Sequence, residues 1–490
     1  MYEFFVVWQG VGFRDGKTGA SDLLFGIKAF SEASSESSFT STNIANKLNY
    51  HREFDFFGKF FAEIEHLLFR INFHYIIYYI MNIYISGISG TGMGPLALMA
   101  KQAGFKVCGS DLVKGAIYDE LVKAGIEVYI GEQDGKFLAE KLKGGVDWFA
   151  YTSALPEDHA ELVMAKEAGV RCTKRDDLTA FLVSELGLKM VAVAGTHGKT
   201  TTTAMIIWAA LKLNLPVSYI VGTTLGFAPS GAYHGGDKYF VYEADEYDRN
   251  FLKYHPWLSV IPMVSYDHPD IYKTVEEYES AFSQFESQSE MVIKEGISGE
   301  FKLAGKVRRH DAELATAAIV KMMENQGIEY NMTEIVGILN SFPGVGRRFE
   351  KLVDGVYTDY AHHPEEIAAT IEIAREEAKI KGLKGVVVVY QPHQNIRQHE
   401  VRNGYREAFL NVDKIFWLPT YLVREDPDLA VITPEEFVED LENHDKAEAA
   451  ELNDDLAIKL HEYVKEGYLI ILMTAGPADE WLRGVFLKNN

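Results

Sequence analysis

The chain has 490 residues, with 48 Lys plus Arg against 71 Asp plus Glu and a formal net charge of −23. That length holds about three domains of ~150 residues and needs no disulfide staple, and the acidic balance argues against a broad grip on nucleic acid or an anionic membrane. The two cysteines, Cys108 and Cys172, exclude a disulfide framework or a Cys-rich zinc site and fit a reducing cytoplasm, while anionic small ligands remain open because a few local donors suffice.

Residues 1–80 read differently from the rest. About a quarter of them are aromatic, Ser-rich stretches such as SEASSESSFTS interrupt them, and no strand-helix alternation is evident. Their last stretch, HLLFRINFHYIIYYI, is too short and too broken by Arg70, Asn72 and His74 for a membrane span of ~20 residues. A signal peptide's charged, apolar and small-residue regions are also missing. Met81 opens the strand-like run MNIYISG, and the expectation is that Met81 is the native start, with 1–80 an extension of the reading frame.

From Met81 onward apolar strands alternate with amphipathic helices, the pattern of parallel α/β layers. Strands are expected at NIYISG, KVCGSD, VDWFAYTS, KMVAVAG, YFVYEAD, LSVIPMVS, GVYTDY, GVVVVYQ, KIFWLP and LIILMTAG, and helices at PLALMAKQAG and TTTTAMIIWAALKL. Joints are expected near KRDDLTAFLVSELGLK and NSFPGVGRRFE, giving units at 81–188, 189–342 and 343–490.

Three motif groups carry chemistry. The first, Gly87-Ile-Ser-Gly90-Thr-Gly92-Met93-Gly94, lies between a strand and a helix, where glycines let the backbone approach a diphosphate at a helix N-terminus. Asp111, at the end of the next strand, stands where a ribose-reading carboxylate would sit. The second is Gly195-Thr196-His197-Gly198-Lys199-Thr200-Thr201, again from strand to helix. In such a loop backbone N–H groups cradle phosphates, Lys199 reaches the terminal phosphates and the Thr200 hydroxyl suits Mg²⁺, so ATP is the expected cofactor. Carboxylates follow at strand ends, namely Glu243, Asp245, Glu246 and Asp248, and then Tyr266-Asp267-His268-Pro269-Asp270, a set suited to more than one hard cation. The third group comprises Gly346-Arg347-Arg348-Phe349-Glu350, Thr358-Asp359-Tyr360-Ala361-His362-His363-Pro364 and Gln391-Pro392-His393-Gln394-Asn395-Ile396-Arg397, pointing to a polar pocket facing the ATP site.

The order GISGTGMG, AGTHGKTTTT, EADEYD, DHPDIY, GRRFE, DYAHHPEE and QPH resembles the Mur ligases, and within them the alanine-adding type, from Met81 to about Trp481. The resemblance implies a three-domain α/β architecture. A Rossmann-like N-terminal domain would bind a UDP-sugar, a central P-loop domain ATP, and a Rossmann-like C-terminal domain the amino acid. It implies a cytoplasmic enzyme of peptidoglycan precursor synthesis that adds L-alanine to UDP-N-acetylmuramate through an acyl phosphate, using ATP and two Mg²⁺. It places Lys199, Glu243 and His268 at the chemistry, with Thr200 and Glu243 on one Mg²⁺ and His268 with Glu243 on a second. The phosphate loop with Asp311, Arg348 and Asp359 would hold ATP. Gly87, Gly90, Gly92, Met93, Asp111 and Ser153 would hold the UDP-sugar, and Tyr360, His362, His393 and Arg397 the amino acid, where Arg397 offers a planar fork to its carboxylate.

Three positions depart from the alanine-adding pattern. Gln394 stands where those enzymes carry Arg, Tyr247 in EADEYD is the residue of the recycling type that attaches a tripeptide, and Asp311 replaces the Asn beside adenine. The acceptor therefore stays open between alanine and a tripeptide. A P-loop regulatory ATPase and an NAD-binding oxidoreductase are the readings of another class, and the latter leaves Lys199 and the acidic strand ends without a role.

Overall fold

The computed structural model describes residues 81–487 apart from Ser153, Pro269, Asp270 and Arg424. The expectations on residues 1–80 and on Ser153 lie outside the described residues.

Three sheets organise the described chain. The first runs β3-β2-β1-β4-β5, with β1 (Asn82–Ser86), β2 (Lys106–Asp111), β3 (Glu127–Ile130), β4 (Trp148–Tyr151) and β5 (Arg171–Lys174) all parallel. The second runs β11-β10-β6-β9-β7-β8, with β6 (Lys189–Val193), β7 (Val217–Ile220), β8 (Gly231–Ala232), β9 (Tyr239–Glu243), β10 (Leu258–Val260) and β11 (Val292–Ile293); only the β7/β8 pair is antiparallel. The third runs β12-β13-β17-β14-β15-β16, with β12 (Glu350–Val353), β13 (Val356–Asp359), β14 (Val386–Gln391), β15 (Lys414–Trp417), β16 (Ala447–Ala449) and β17 (Leu469–Thr474), where β12/β13 is the antiparallel pair.

A parallel sheet covered by helices on both faces needs strands that are apolar throughout. VVVVYQ of β14 and LIILMT of β17 meet that need, and every residue of both is buried. Strands without such runs escaped the sequence reading. EVYI of β3 and RCTK of β5 lie at the edges of the first sheet and are half-exposed, and AEA of β16 is the corresponding edge of the third. The expected strand LSVIPMVS is shorter than its apolar run. Its pairing stops at Val260, two residues before Pro262, which has no N–H for a ladder. The chain continues as a loop laid over the phosphate loop, where Thr196 N donates to Met263 O at 2.8 Å.

The expected joint KRDDLTAFLVSELGLK contains the helix Arg175–Glu185. Its Leu178, Leu182 and Val183 belong to one apolar core that also holds Ile83, Leu96 and Ile117 from the first sheet's layers and Phe240, Tyr242, Phe251 and Phe282 from the second's. The first two sheets thus share a continuous core. The third has a separate cluster on each face, one around Tyr390, Trp417 and Met473 and the other around Val389, Phe416 and Leu472. Among the described residues no helix is long and apolar enough to cross a membrane.

Candidate active site

The phosphate loop joins β6 to the helix Lys199–Lys212. Its turn requires glycine at position 198. The φ there is +83°, and a Cβ would lie 2.7 Å from Asp311 Oδ1 and 2.9 Å from Pro262 Cβ. The Thr196 hydroxyl donates to Ser265 O at 2.6 Å and lies 2.8 Å from the Tyr278 hydroxyl, tying the loop to the segment after β10. Lys199 Nζ donates to Gly195 O, to Thr196 O at 3.2 Å and to Glu246 Oε1 at 2.9 Å. Burial pulls this ammonium down, but the Glu246 carboxylate outweighs burial and holds it above its ordinary value. Burial likewise pushes Glu246 up, and Lys199 and His268 overcome it and keep the carboxylate ionised.

The neighbouring turn supplies a second oxygen pair, since the Thr200 hydroxyl donates to Glu243 Oε1 at 2.8 Å. His268, expected to share a second Mg²⁺ with Glu243, faces the middle of the acidic run. Its Nε2 faces Glu246 Oε1 at 3.6 Å and Asp267 Oδ2 at 3.8 Å, and its ring meets the edge of Tyr247 at 5.2 Å. Residue 268 itself has φ +58°, in the left-handed region.

Two cavities meet at this wall. One, of about 460 Å³, is lined by His197, Gly198 and Thr201 of the loop, by Arg308, His310 and Asp311 of the helix Lys306–Gln326, and by Arg348 and Asp359 of the third unit. The other, of about 630 Å³, is lined by Thr91, Gly92 and Arg175 from the first unit, Thr200, Glu243 and Asp245 from the second, and Arg347, Arg348, Tyr360 and Arg483 from the third. Arg348 lines both. Asp359 is buried and its carboxylate accepts from Phe349 N at 2.6 Å and Ala361 N at 2.7 Å, so it also shapes the turn that carries Arg348.

In the first unit Asp111 Oδ2 accepts from Ser89 N at 2.8 Å, which fastens the glycine loop to the end of β2. Gly87 N donates to Ser110 O at 2.8 Å and Gly94 N to Gly90 O at 2.9 Å, so those amides close the turn and the helix start. The Met93 side chain lies in the core, so this position offers a ligand its main-chain groups. In the third unit His362 and His393 meet edge to face at 6.0 Å, and Tyr360 and His362 at 5.4 Å. His362 Nδ1 lies 3.0 Å from Tyr360 O, and burial lowers the ring's pKa. Arg397 acts electrostatically on His362 and on Asp267. Tyr360 also stacks beneath two guanidiniums, Arg347 at 4.7 Å and Arg348 at 5.2 Å, which draws it to the larger cavity's wall.

Residues 82–185 match the Mur ligase family, catalytic domain, and residues 193–296 match the Mur ligase middle domain. A UDP-N-acetylmuramate--L-alanine ligase of Syntrophomonas wolfei is 33% identical over 404 residues, which cover 70% of this chain and 83% of that protein. The chain belongs to the Mur ligase family. A protein of the same description from Clostridium tetani is 29% identical over 455 residues, covering 81% of this chain and 96% of its own. The fold agrees. A crystal structure of the UDP-N-acetylmuramate-alanine ligase of Thermotoga maritima superposes with a TM-score of 0.67 at 23% identity, covering 84% of this chain and 99% of that one. A murein peptide ligase of Psychrobacter arcticus gives 0.52 at 20% identity, covering 83% and 98%.

Within this Mur ligase the fold gives roles to Glu246 and Arg347, which the sequence reading named without one, and to Arg175 and Arg483, which it did not single out. Glu246 is the carboxylate on Lys199, and Arg175, Arg347 and Arg483 add positive charge to the larger cavity. Arg347 sits in the same GRRFE motif as Arg348, so a signal for it was available, whereas Arg175 and Arg483 stand in ordinary helical sequence and carried none.

Proposed function

We propose that this Mur ligase joins L-alanine to UDP-N-acetylmuramate with ATP, in the cytoplasm, during synthesis of the peptidoglycan precursor, and that its chain divides at 81–188, 189–342 and 343–490. The observation that carries this reading is that the residues around Lys199 line two cavities, His197, Gly198 and Thr201 the smaller and Thr200 with Glu243 the larger, and that the two share Arg348. One suits a nucleotide beside the phosphate loop. The other gathers four arginines, which suits a diphosphate and a carboxylate. A γ-phosphoryl group placed at the wall stands between the nucleotide and a carboxylate in the second cavity, the arrangement in-line transfer needs.

The lactyl carboxylate takes the γ-phosphoryl group and becomes an acyl phosphate. The alanine amine then attacks the acyl carbon, and phosphate leaves from the tetrahedral intermediate. Lys199 neutralises the charge spreading over the transferred group, and its anchoring to two loop carbonyls and Glu246 fixes the ammonium before substrate arrives. Arg348 and Arg347 orient the two anionic partners. Tyr360, His362, His393 and Arg397 form the side from which the amine enters.

Mg²⁺ fits the donors present: Thr200 and Glu243 offer hard oxygens, and Glu246 Oε2 is buried with no hydrogen-bond partner. Thr200 and Glu243 would hold one ion and Glu243 with His268 a second, and the metal would supply charge neutralisation for the phosphates. The test is phosphate release with L-alanine or the tripeptide, each with and without UDP-N-acetylmuramate. Release that requires both alanine and the sugar nucleotide is expected. Turnover without the sugar nucleotide, or only with the tripeptide, refutes the assignment.

A further inference from the structure

At the edge of the smaller cavity lies a donor set to which the proposed reaction assigns no proton or phosphoryl transfer. His197 comes from the phosphate loop, and His363 and Glu365 from the start of the helix Pro364–Ile380. Each offers one ligand atom, and the three atoms lie within 4.8 Å of one another. His197 Nε2 is buried without a hydrogen-bond partner, so this ring nitrogen has given up water with nothing in its place. The other nitrogen of His197 lies 3.2 Å from Glu366 Oε1. A carboxylate behind an imidazole is the arrangement that orients a metal-bound histidine. Glu365 Oε2 is 3.5 Å from His197 Nε2 on a side chain 55% exposed, so it has freedom to close on an ion. Asp267 acts electrostatically on His363 and adds negative charge to the surroundings.

We propose that His197, His363 and Glu365 bind one zinc-class transition-metal ion, which fastens the phosphate loop to the C-terminal unit and stops turnover. Two imidazoles and one carboxylate form a nitrogen-rich set that favours Zn²⁺ or Co²⁺ over Mg²⁺, which takes oxygen ligands. Three protein ligands leave a fourth position for water. Because His197 lies two residues before Lys199, an ion held there restrains the loop that must accept ATP and release ADP.

The binding test needs no substrate, so its failure is separate from any failure of the ligase assignment. The metal-stripped full chain at pH 7.5 is titrated with Zn²⁺ against a chromophoric chelator, and Co²⁺ is followed by its visible absorption. The expected result is one site that millimolar Mg²⁺ does not displace, weakened at least about tenfold in Glu365→Gln and in His363→Ala. Glu365 is exposed enough for its variant to fold if His363→Ala does not. Zinc affinity unchanged in Glu365→Gln overturns the site. In phosphate-release assays at saturating Mg²⁺, the Zn²⁺ concentration for half-inhibition should rise in Glu365→Gln by the same factor as the dissociation constant. Weaker binding with unchanged inhibition overturns the clamp.

Discussion

Asp311 stands where Mur ligases of the alanine-adding type carry Asn, and the structure makes the exchange testable. The side chain is 2% exposed on the helix Lys306–Gln326. One oxygen accepts from the Thr202 hydroxyl at 3.0 Å, and Arg308 and Arg348 are the cations acting on it. Burial outweighs all three and pushes its pKa up to about 7. Relative to an ordinary Asp that rise is worth ~4 kcal/mol. The folded group holds its proton more tightly than the unfolded one. Below pH ~4 both states are protonated and nothing is lost, between ~4 and ~7 stability falls as pH rises, and above ~7 the full ~4 kcal/mol is gone. Asp311→Asn keeps an acceptor for Thr202 and removes the charge. Its stability relative to wild type should therefore grow by about 2–3 kcal/mol between pH 5 and pH 8, read from urea unfolding of the full chain. A difference that does not change with pH would refute the reasoning.

The same proton bears on the nucleotide. A neutral carboxylic acid offers one O–H donor and an acceptor, the pair that an Asn amide presents to adenine, whereas the ionised form only accepts. Asp311 lines the smaller cavity, and its Oδ1 would stand 2.7 Å from a Cβ at residue 198 of the phosphate loop. A full charge there also repels phosphate. The KM for ATP of the wild-type chain should accordingly rise as pH passes ~7, and Asp311→Asn should abolish that rise.

Lys199→Met is expected to lower phosphate release at least about a hundredfold, as loss of a preorganised charge stabiliser does, and a variant retaining a tenth of the rate would refute the phosphate role. Glu161, 1% exposed, accepts from Tyr84, Ser86, Ser110 and Gln133. Glu161→Ala strands those donors and should destabilise the first unit by about 3 kcal/mol in urea unfolding, while an effect below about 1 kcal/mol would show that water replaces the carboxylate. A Cβ on Gly231 would lie 2.2 Å from Pro95 O, across the contact between the β7/β8 hairpin and the helix Met93–Gln102. Gly231→Ala should therefore cost about 1–3 kcal/mol and lower the melting temperature, and an unchanged melting curve would mean the two units yield there freely.

What the sequence made legible follows from where the chain's chemistry is local. A glycine loop, a phosphate loop and a buried run such as VVVVYQ are each written within a few consecutive residues, so composition and spacing suffice to locate the strands and turns that carry them. Edge strands were hidden because half-exposure gives them mixed composition. The arginines of the larger cavity were hidden because their meeting depends on three sheets, and nothing around Arg175 or Arg483 distinguishes them from surface charges.

The EADEYD run shows the same limit at one site. Four carboxylates stand within six residues, and spacing alone gives no reason to rank them. The fold sorts them by where β9 ends. Glu243 is the last paired residue and meets Thr200, while Asp245 turns back to accept from Tyr247 N at 3.0 Å. Glu246, 1% exposed, receives Lys199, and Asp248, in a left-handed turn at φ +53°, reaches out to Lys174 at 2.9 Å. Only a buried carboxylate can hold a buried ammonium in place, because an exposed pair such as Asp248 with Lys174 is worth at most ~1 kcal/mol against solvent. The acidic chain therefore binds anions through a local device. Glu246 spends its charge on fixing Lys199, and the net positive potential that phosphates meet comes from the arginines around the two cavities rather than from the chain's overall balance.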